Sequence, residues 1–156
     1  MNRLFVMVGV PGSGKSTWIK NQKWALGMPV VSTDAFVEDY ARAQGKTYSE
    51  VFQEYMPTAV EKMAEQVVFY RKNKVDIIWD QTSTTIATRA KKIRMLPEYY
   101  KIAVVMKTPP TAELQQRLAS RPGKVIPWEV VSNMAQQLEA EPPTEDEGFD
   151  EIWYGQ

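Results

Sequence analysis

The apolar positions of this chain fall into short continuous runs separated by stretches with helical spacing. Leu4 to Val8 is the first run and leads straight into a glycine cluster, the pattern of a buried strand ending in a functional turn. A helix is predicted to begin near Lys15. Pro29, Val30 and Val31 suggest a second short strand, followed by a helix over 34–43 with Phe36, Val37 and Tyr40 on one side. From Tyr48 to Arg71 the spacing of Val51, Phe52, Tyr55, Val60, Met63, Val67 and Phe69 is helical again. Pro57 interrupts it, and because proline lacks the N–H that a helix interior uses, two helices are expected there.

Val75 to Trp79 reads as the next strand, Ile86 to Leu96 as a basic helix, and Ile102 to Met106 as a further strand between Lys101 and Lys107. Thr111–Ala119 and Trp128–Leu138 are predicted helices, parted by the turn-prone Arg121, Pro122 and Gly123. Pro142 and Pro143 break the chain once more before a last candidate strand, Glu151–Tyr154. Strands thus alternate with helices, which predicts an α/β fold with a parallel sheet, helices on both faces, and ligands beyond the carboxyl ends of the strands. There is no internal repeat and no linker-like stretch, so one domain over 1–156 is expected, large enough to bury a core without disulfides or a structural metal.

Composition narrows the chemistry. With no histidine and no cysteine, Ser/His and Cys/His catalysis, the usual zinc sites and thiol redox chemistry are all excluded, leaving a carboxylate as the main candidate general base. Neither a signal peptide nor a membrane-spanning run is present, and a cytoplasmic setting is expected by elimination, with no membrane and no protein partner indicated. The formal charge is zero, 19 basic against 19 acidic groups, yet it is segregated: residues 81–125 hold 9 basic and 2 acidic groups, and 126–156 hold none and 8. The middle of the chain is therefore available as a basic surface for phosphates, or as an ordinary solvated helix face.

Gly9, Val10, Pro11, Gly12, Ser13, Gly14, Lys15 and Ser16 fit G-x-x-x-x-G-K-[ST] at every position, and Thr17 follows. The glycines let main-chain N–H groups curl around phosphates at the start of a helix; Lys15 is expected to reach the β- and γ-phosphates and the Ser16 hydroxyl to ligate Mg²⁺. Nucleoside triphosphate binding follows, with a P-loop NTPase fold. A GTP switch is disfavoured: D-x-x-G is absent, and Asn73, Lys74, Val75, Asp76 matches N-K-x-D before a strand and not after one.

A kinase needs a base for the acceptor, a carboxylate near metal or acceptor, and cations to offset charge as the phosphoryl moves. Asp34 follows the second strand and is the natural proton acceptor in a chain without histidine; its ordinary alternative is a helix N-cap. Asp80 closes the strand ending at Trp79, placed to serve metal or acceptor, or simply to turn the chain. Arg117 and Arg121, four apart, share a helix face and would clamp ATP phosphates as a helical lid, although Glu113 offers Arg117 a surface partner. Arg89, with Lys91, Lys92 and Arg94, is placed to follow an acceptor backbone, with a solvated helix as the plain alternative.

The ordered set, G-V-P-G-S-G-K-S-T-W from Gly9 to Trp18, then Asp34, I-I-W-D ending at Asp80, and R-L-A-S-R from Arg117 to Arg121, resembles the kinase domain of bacteriophage 5′-polynucleotide kinases. Lys124, Val125, Ile126 and Pro127 add to the likeness. The resemblance implies Asp34 as general base, Asp80 as acceptor-site aspartate, Arg117 and Arg121 as the lid pair, and transfer of the γ-phosphate of ATP to the 5′-hydroxyl of DNA or RNA. The family has an arginine three residues after its base where this chain has Val37, so acceptor phosphates would need Arg42 or the basic helix instead. The family's frequent phosphatase motif, D-x-D-x-[TV], is missing, and 3′-phosphate removal is not expected. The same scaffold would also suit a kinase acting on a hydroxymethylated pyrimidine in phage DNA, or a nucleoside or small-metabolite kinase.

Overall fold

In a computed structural model, which describes residues 1–155, β1 (Arg3–Val8) buries Leu4, Phe5, Val6, Met7 and Val8 completely. Successive strand side chains point to opposite faces, so a strand of this composition needs cover on both. It lies at the centre of a five-stranded parallel sheet in the order β2 (Val30–Val31), β3 (Ile77–Asp80), β1, β4 (Tyr100–Val105), β5 (Glu151–Tyr154). Leu4, Val6 and Val8 pack towards α3 (Tyr48–Lys72), α4 (Ile86–Met95) and α6 (Trp128–Ala140), through Met63, Val67, Ile93 and Leu138. Phe5 and Met7 pack on the other side against Trp18 and Ile19 of α1 (Lys15–Lys20) and the turn at 23–25, where the Trp24 ring sits 4.6 Å from Phe5. The expected α/β sheet with helices on both faces is what forms. No helix among the described residues is long and apolar enough to cross a membrane.

The stretch after Thr47 is one helix and not two. α3 runs through Pro57. A mid-helix proline removes one hydrogen bond and costs roughly 3 kcal/mol. Here Pro57 is exposed, so the carbonyl it leaves unpaired faces water, while Val51, Tyr55, Ala59, Met63 and Val67 repeat every four residues along the buried side. That stripe packs on Val37 and Ala41 of α2 (Thr33–Gln44) and on the sheet, and it holds both halves of the helix in line. A capping box between Thr47 and Glu50 fixes its start.

Part of the segregated charge is internal. Arg89, Lys92 and Lys101 are buried at 0%, 6% and 6% exposure, while Lys91, Arg94 and Lys107 stay exposed, so the basic stretch offers less surface than its composition promised. The acidic tail is docked against it. Glu147 takes the Arg89 guanidinium at 2.7 Å, Glu141 accepts the Ile86 N–H at 3.1 Å, and Asp150 accepts the Lys101 N–H at 2.8 Å. β1, β2 and β3 end together at one edge of the sheet, and there the chain brings the glycine loop, α2 and Asp80 around one cleft.

Candidate active site

The loop between β1 and α1 turns because Gly12 and Gly14 adopt φ of +84° and +96°, a region that side-chain-bearing residues avoid. Space is as restrictive as conformation: a Cβ on Gly12 would lie 2.9 Å from Leu114 Cδ1 on α5 (Thr111–Ala119). Residues 11–18 line a cleft of about 1330 Å³ that also takes in the start of α2, the start of α3, the end of β3 and the segment from Arg117 to Pro127. Gly9 is the exception among the residues expected on the nucleotide. It sits at the root of the loop behind the cleft, where its N–H donates to the Thr82 carbonyl at 2.9 Å.

Lys15 donates to the carbonyls of Gly9 and Val10 at 2.9 and 3.0 Å, which leaves one of its three N–H bonds for a ligand. Burial holds its pKa down at about 8, against the pull of the Asp80 carboxylate. Asp80 is shifted the opposite way for the same reason: burial raises it, and Lys15 only partly offsets that. Its Oδ2 lies 3.5 Å from Ser16 Oγ. Two hard oxygen donors this close at the mouth of a phosphate loop fit Mg²⁺, which takes few protein ligands and completes its shell with water and phosphate oxygens.

Asp34 is not the cap of its helix. That place belongs to Ser32, whose Oγ accepts the Ala35 N–H at 3.2 Å. The Asp34 carboxylate instead faces the cleft, accepting the Tyr48 O–H on Oδ1 at 2.6 Å and the Lys124 ammonium on Oδ2 at 2.9 Å. Burial alone would raise its pKa, but the Tyr48 hydrogen bond and the Lys124 charge outweigh it and hold the group below the ordinary aspartate value. Tyr48 is driven the other way, far above the normal phenol range, by burial and by the carboxylate it serves.

Above the phosphate loop, Arg117 does both things its sequence context allowed: it donates to the Gly12 carbonyl at 3.0 Å and to Glu113 at 3.2 Å. Arg121 lines the cleft half-buried, with no ion-pair partner among the described residues. Ser13, Gly14, Ser16 and Thr17 line the same cleft.

Arg89 does not join them. Its side chain is fully buried and binds Glu147, the Ser83 carbonyl and the Glu141 carbonyl, so it holds the tail to the loop after β3 and is closed to an acceptor. Arg42 pairs with Asp39 in solvent and does not line the cleft, and Val37 is buried between α2 and α3. The N-K-x-D match is a turn at the far end of β3, where Asp76 pairs with Arg3 at 3.1 Å. Tyr48 and Glu38 line the cleft without having been singled out from the sequence, and Lys124 entered there only as part of the family likeness. Tyr48 reads as one more aromatic at a helix start, and no spacing rule links Lys124 to a carboxylate 90 residues away.

Comparison with known proteins bears on the family and the fold. A shikimate kinase of Rhodococcus jostii (strain RHA1) is 38% identical over 63 residues, which span 40% of this chain and 36% of that protein. The match therefore covers about a third of that curated relative's length. Among solved structures, a candidate kinase from Chloroflexus aurantiacus j-10-fl is 18% identical and superposes with a TM-score of 0.68 over 98% of this chain and 84% of its own. A chain of the Pnkp1/Rnl/Hen1 RNA repair complex is 24% identical, with a TM-score of 0.65 over 89% of this chain and 44% of its own. At these identities the two structures share the P-loop kinase fold with this chain. The profile of the AAA domain family matches residues 4–141, nearly the whole length described, and the chain belongs to that family.

Proposed function

We propose that this chain is an ATP-dependent kinase whose acceptor is the 5′-hydroxyl at the end of a DNA or RNA strand. The observation that carries the reading is Asp34: an ionised carboxylate, held by two donors, facing the same cleft as the phosphate loop. In the reaction the acceptor oxygen bonds to the γ-phosphorus while its proton passes to Asp34. The bond from that phosphorus to the bridging oxygen breaks, and ADP leaves with the electron pair. Lys15, Arg117 and Arg121 supply positive charge where negative charge moves. Ser16 and Asp80 would hold Mg²⁺, which when bound neutralises the β- and γ-phosphates.

The nucleic-acid acceptor is supported by the motif resemblance and by the fold shared with a chain of an RNA repair complex. A second reading, a small or base-linked alcohol, is favoured by the poverty of cations on the acceptor side. Arg89 and Lys92 are internal and Arg42 is paired elsewhere, leaving Lys124 as the basic group beside Asp34. γ-Labelled ATP offered with 5′-hydroxyl DNA and RNA oligonucleotides, duplex containing hydroxymethylated pyrimidine, a nucleoside panel and shikimate decides between them. Label at the 5′ terminus is the expected result. Label on a base or a small alcohol would overturn the terminal acceptor, and no labelled product at all would overturn the kinase. With one cation at hand, single-strand affinity should fall with a log–log salt slope of about −0.7, far shallower than for a protein that tracks a backbone.

A further inference from the structure

Lys124 is held as few lysines on a loop are. Its side chain is only 15% exposed, and its ammonium lies 2.9 Å from Asp34 Oδ2, 3.6 Å from Glu38 Oε1 and 4.4 Å from the centre of the Tyr48 ring. The loop that carries it is seated on the first turn of α3. Ser49 N–H donates to the Gly123 carbonyl at 3.1 Å, and Val125 N–H donates to Ser49 Oγ at 2.8 Å. Gly123 permits the close seat: it has φ +69°, and a Cβ there would stand 2.9 Å from Thr47 Cβ. At its other end the same segment reaches the phosphate loop through Arg117 and the Gly12 carbonyl. One lid thus touches the donor half of the cleft and the candidate base at once.

We propose that Lys124 is a positioning residue for phosphoryl transfer, fixing the Asp34 carboxylate only while the lid is seated and so tying competence of the base to closure of the cleft. This rests on the reading of Asp34 as the base. Tyr48, on α3, holds Oδ1 whether or not the lid is down; Lys124 completes the set on Oδ2 and leaves a lone pair on each oxygen for the acceptor hydroxyl. The other charged groups around Asp34 are Lys15 on α1, Asp80 at the end of β3 and Glu38 on its own helix, with Arg121 beyond Tyr48 on the lid. None of these makes a hydrogen bond to Asp34, so none replaces Lys124 when it is removed.

The test uses Lys124→Met, Lys124→Arg and Asp34→Asn in the full chain, with a 5′-hydroxyl oligonucleotide as acceptor and a non-hydrolysable ATP analogue for affinity. Lys124→Met should lower kcat by about 10- to 100-fold, the scale of a misplaced catalytic group. Analogue affinity should stay within about twofold, because Lys15, Arg117 and Arg121 remain. The acid limb of kcat should move up by about 1–3 pH units, the effect of losing one close opposite charge, and Lys124→Arg should return it most of the way. An unshifted limb, or a loss confined to analogue affinity, would mean that Lys124 merely docks the lid. Asp34→Asn separates the two failures. If it stays active, Asp34 is not the base and the proposal falls with that reading; if it is inactive while Lys124→Met keeps an unshifted limb, the role of Lys124 alone is overturned.

Discussion

Arg89→Met tests the reassignment of the basic helix from acceptor binding to structure. The guanidinium is completely buried and makes four hydrogen bonds: Nε and Nη2 to the two Glu147 oxygens at 2.7 and 3.2 Å, Nη1 to the Ser83 carbonyl at 3.0 Å, and Nη2 to the Glu141 carbonyl at 2.7 Å. Methionine has similar volume but leaves the Glu147 carboxylate, only 7% exposed, without its counter-charge. Removing one partner of a buried pair costs about 3–5 kcal/mol, because the survivor remains desolvated. Against a total stability of roughly 5–15 kcal/mol that is a large share, and at about 2–4 °C per kcal/mol it should lower Tm by on the order of 10 °C. Urea unfolding followed by both fluorescence and circular dichroism measures it. Adding Glu147→Leu should recover most of the loss, since a well-packed apolar pair often matches a buried ion pair. A change below about 1 kcal/mol, or a weakened acceptor KM with unchanged stability, would refute the argument and return Arg89 to the acceptor.

Three other perturbations have definite expected outcomes. Asp34→Asn should keep ATP-analogue affinity and lower turnover by about 10²- to 10⁴-fold, measured with labelled ATP, since the base is lost while the phosphate loop is untouched. Pro57→Ala should stabilise the protein by up to roughly 3 kcal/mol in urea unfolding, because α3 is continuous and regains the missing hydrogen bond; destabilisation would mean that the proline shapes the helix. Lys15, buried, has a folded pKa of about 8 against 10.5 unfolded, so between those values the unfolded chain binds more protons and stability should rise with pH. The rise should be smaller in Lys15→Met over the same window, and equal slopes in the two proteins would sink the assignment.

The acidic tail illustrates where composition misleads. Counting charges shows +7 in one segment and −8 in the next, but counting does not tell whether the two meet. In the fold they do, through the Arg89–Glu147 ion pair, and Arg89, Lys92 and Lys101 are buried while Lys91, Arg94 and Lys107 stay exposed, so only part of the charge counted for phosphates is at the surface. Pro57 is the same kind of case. Proline's local penalty is legible in the sequence, whereas the four-residue stripe that overrides it acts only once α2 and the sheet are present to receive it.

What the sequence determined unaided is everything written in a contiguous stretch: the strands, whose period is a property of neighbouring residues, and the phosphate loop, whose glycines and lysine sit within eight positions. The surroundings of Asp34 had to wait for the tertiary structure. Tyr48 comes from 14 residues away through the packing of α3 on α2, and Lys124 from 90 through the seating of the lid on α3. Side-chain chemistry can be read from residue type, but the charge a group carries and the partner it meets depend on burial and on distances through space, and those exist only after the chain has closed on itself.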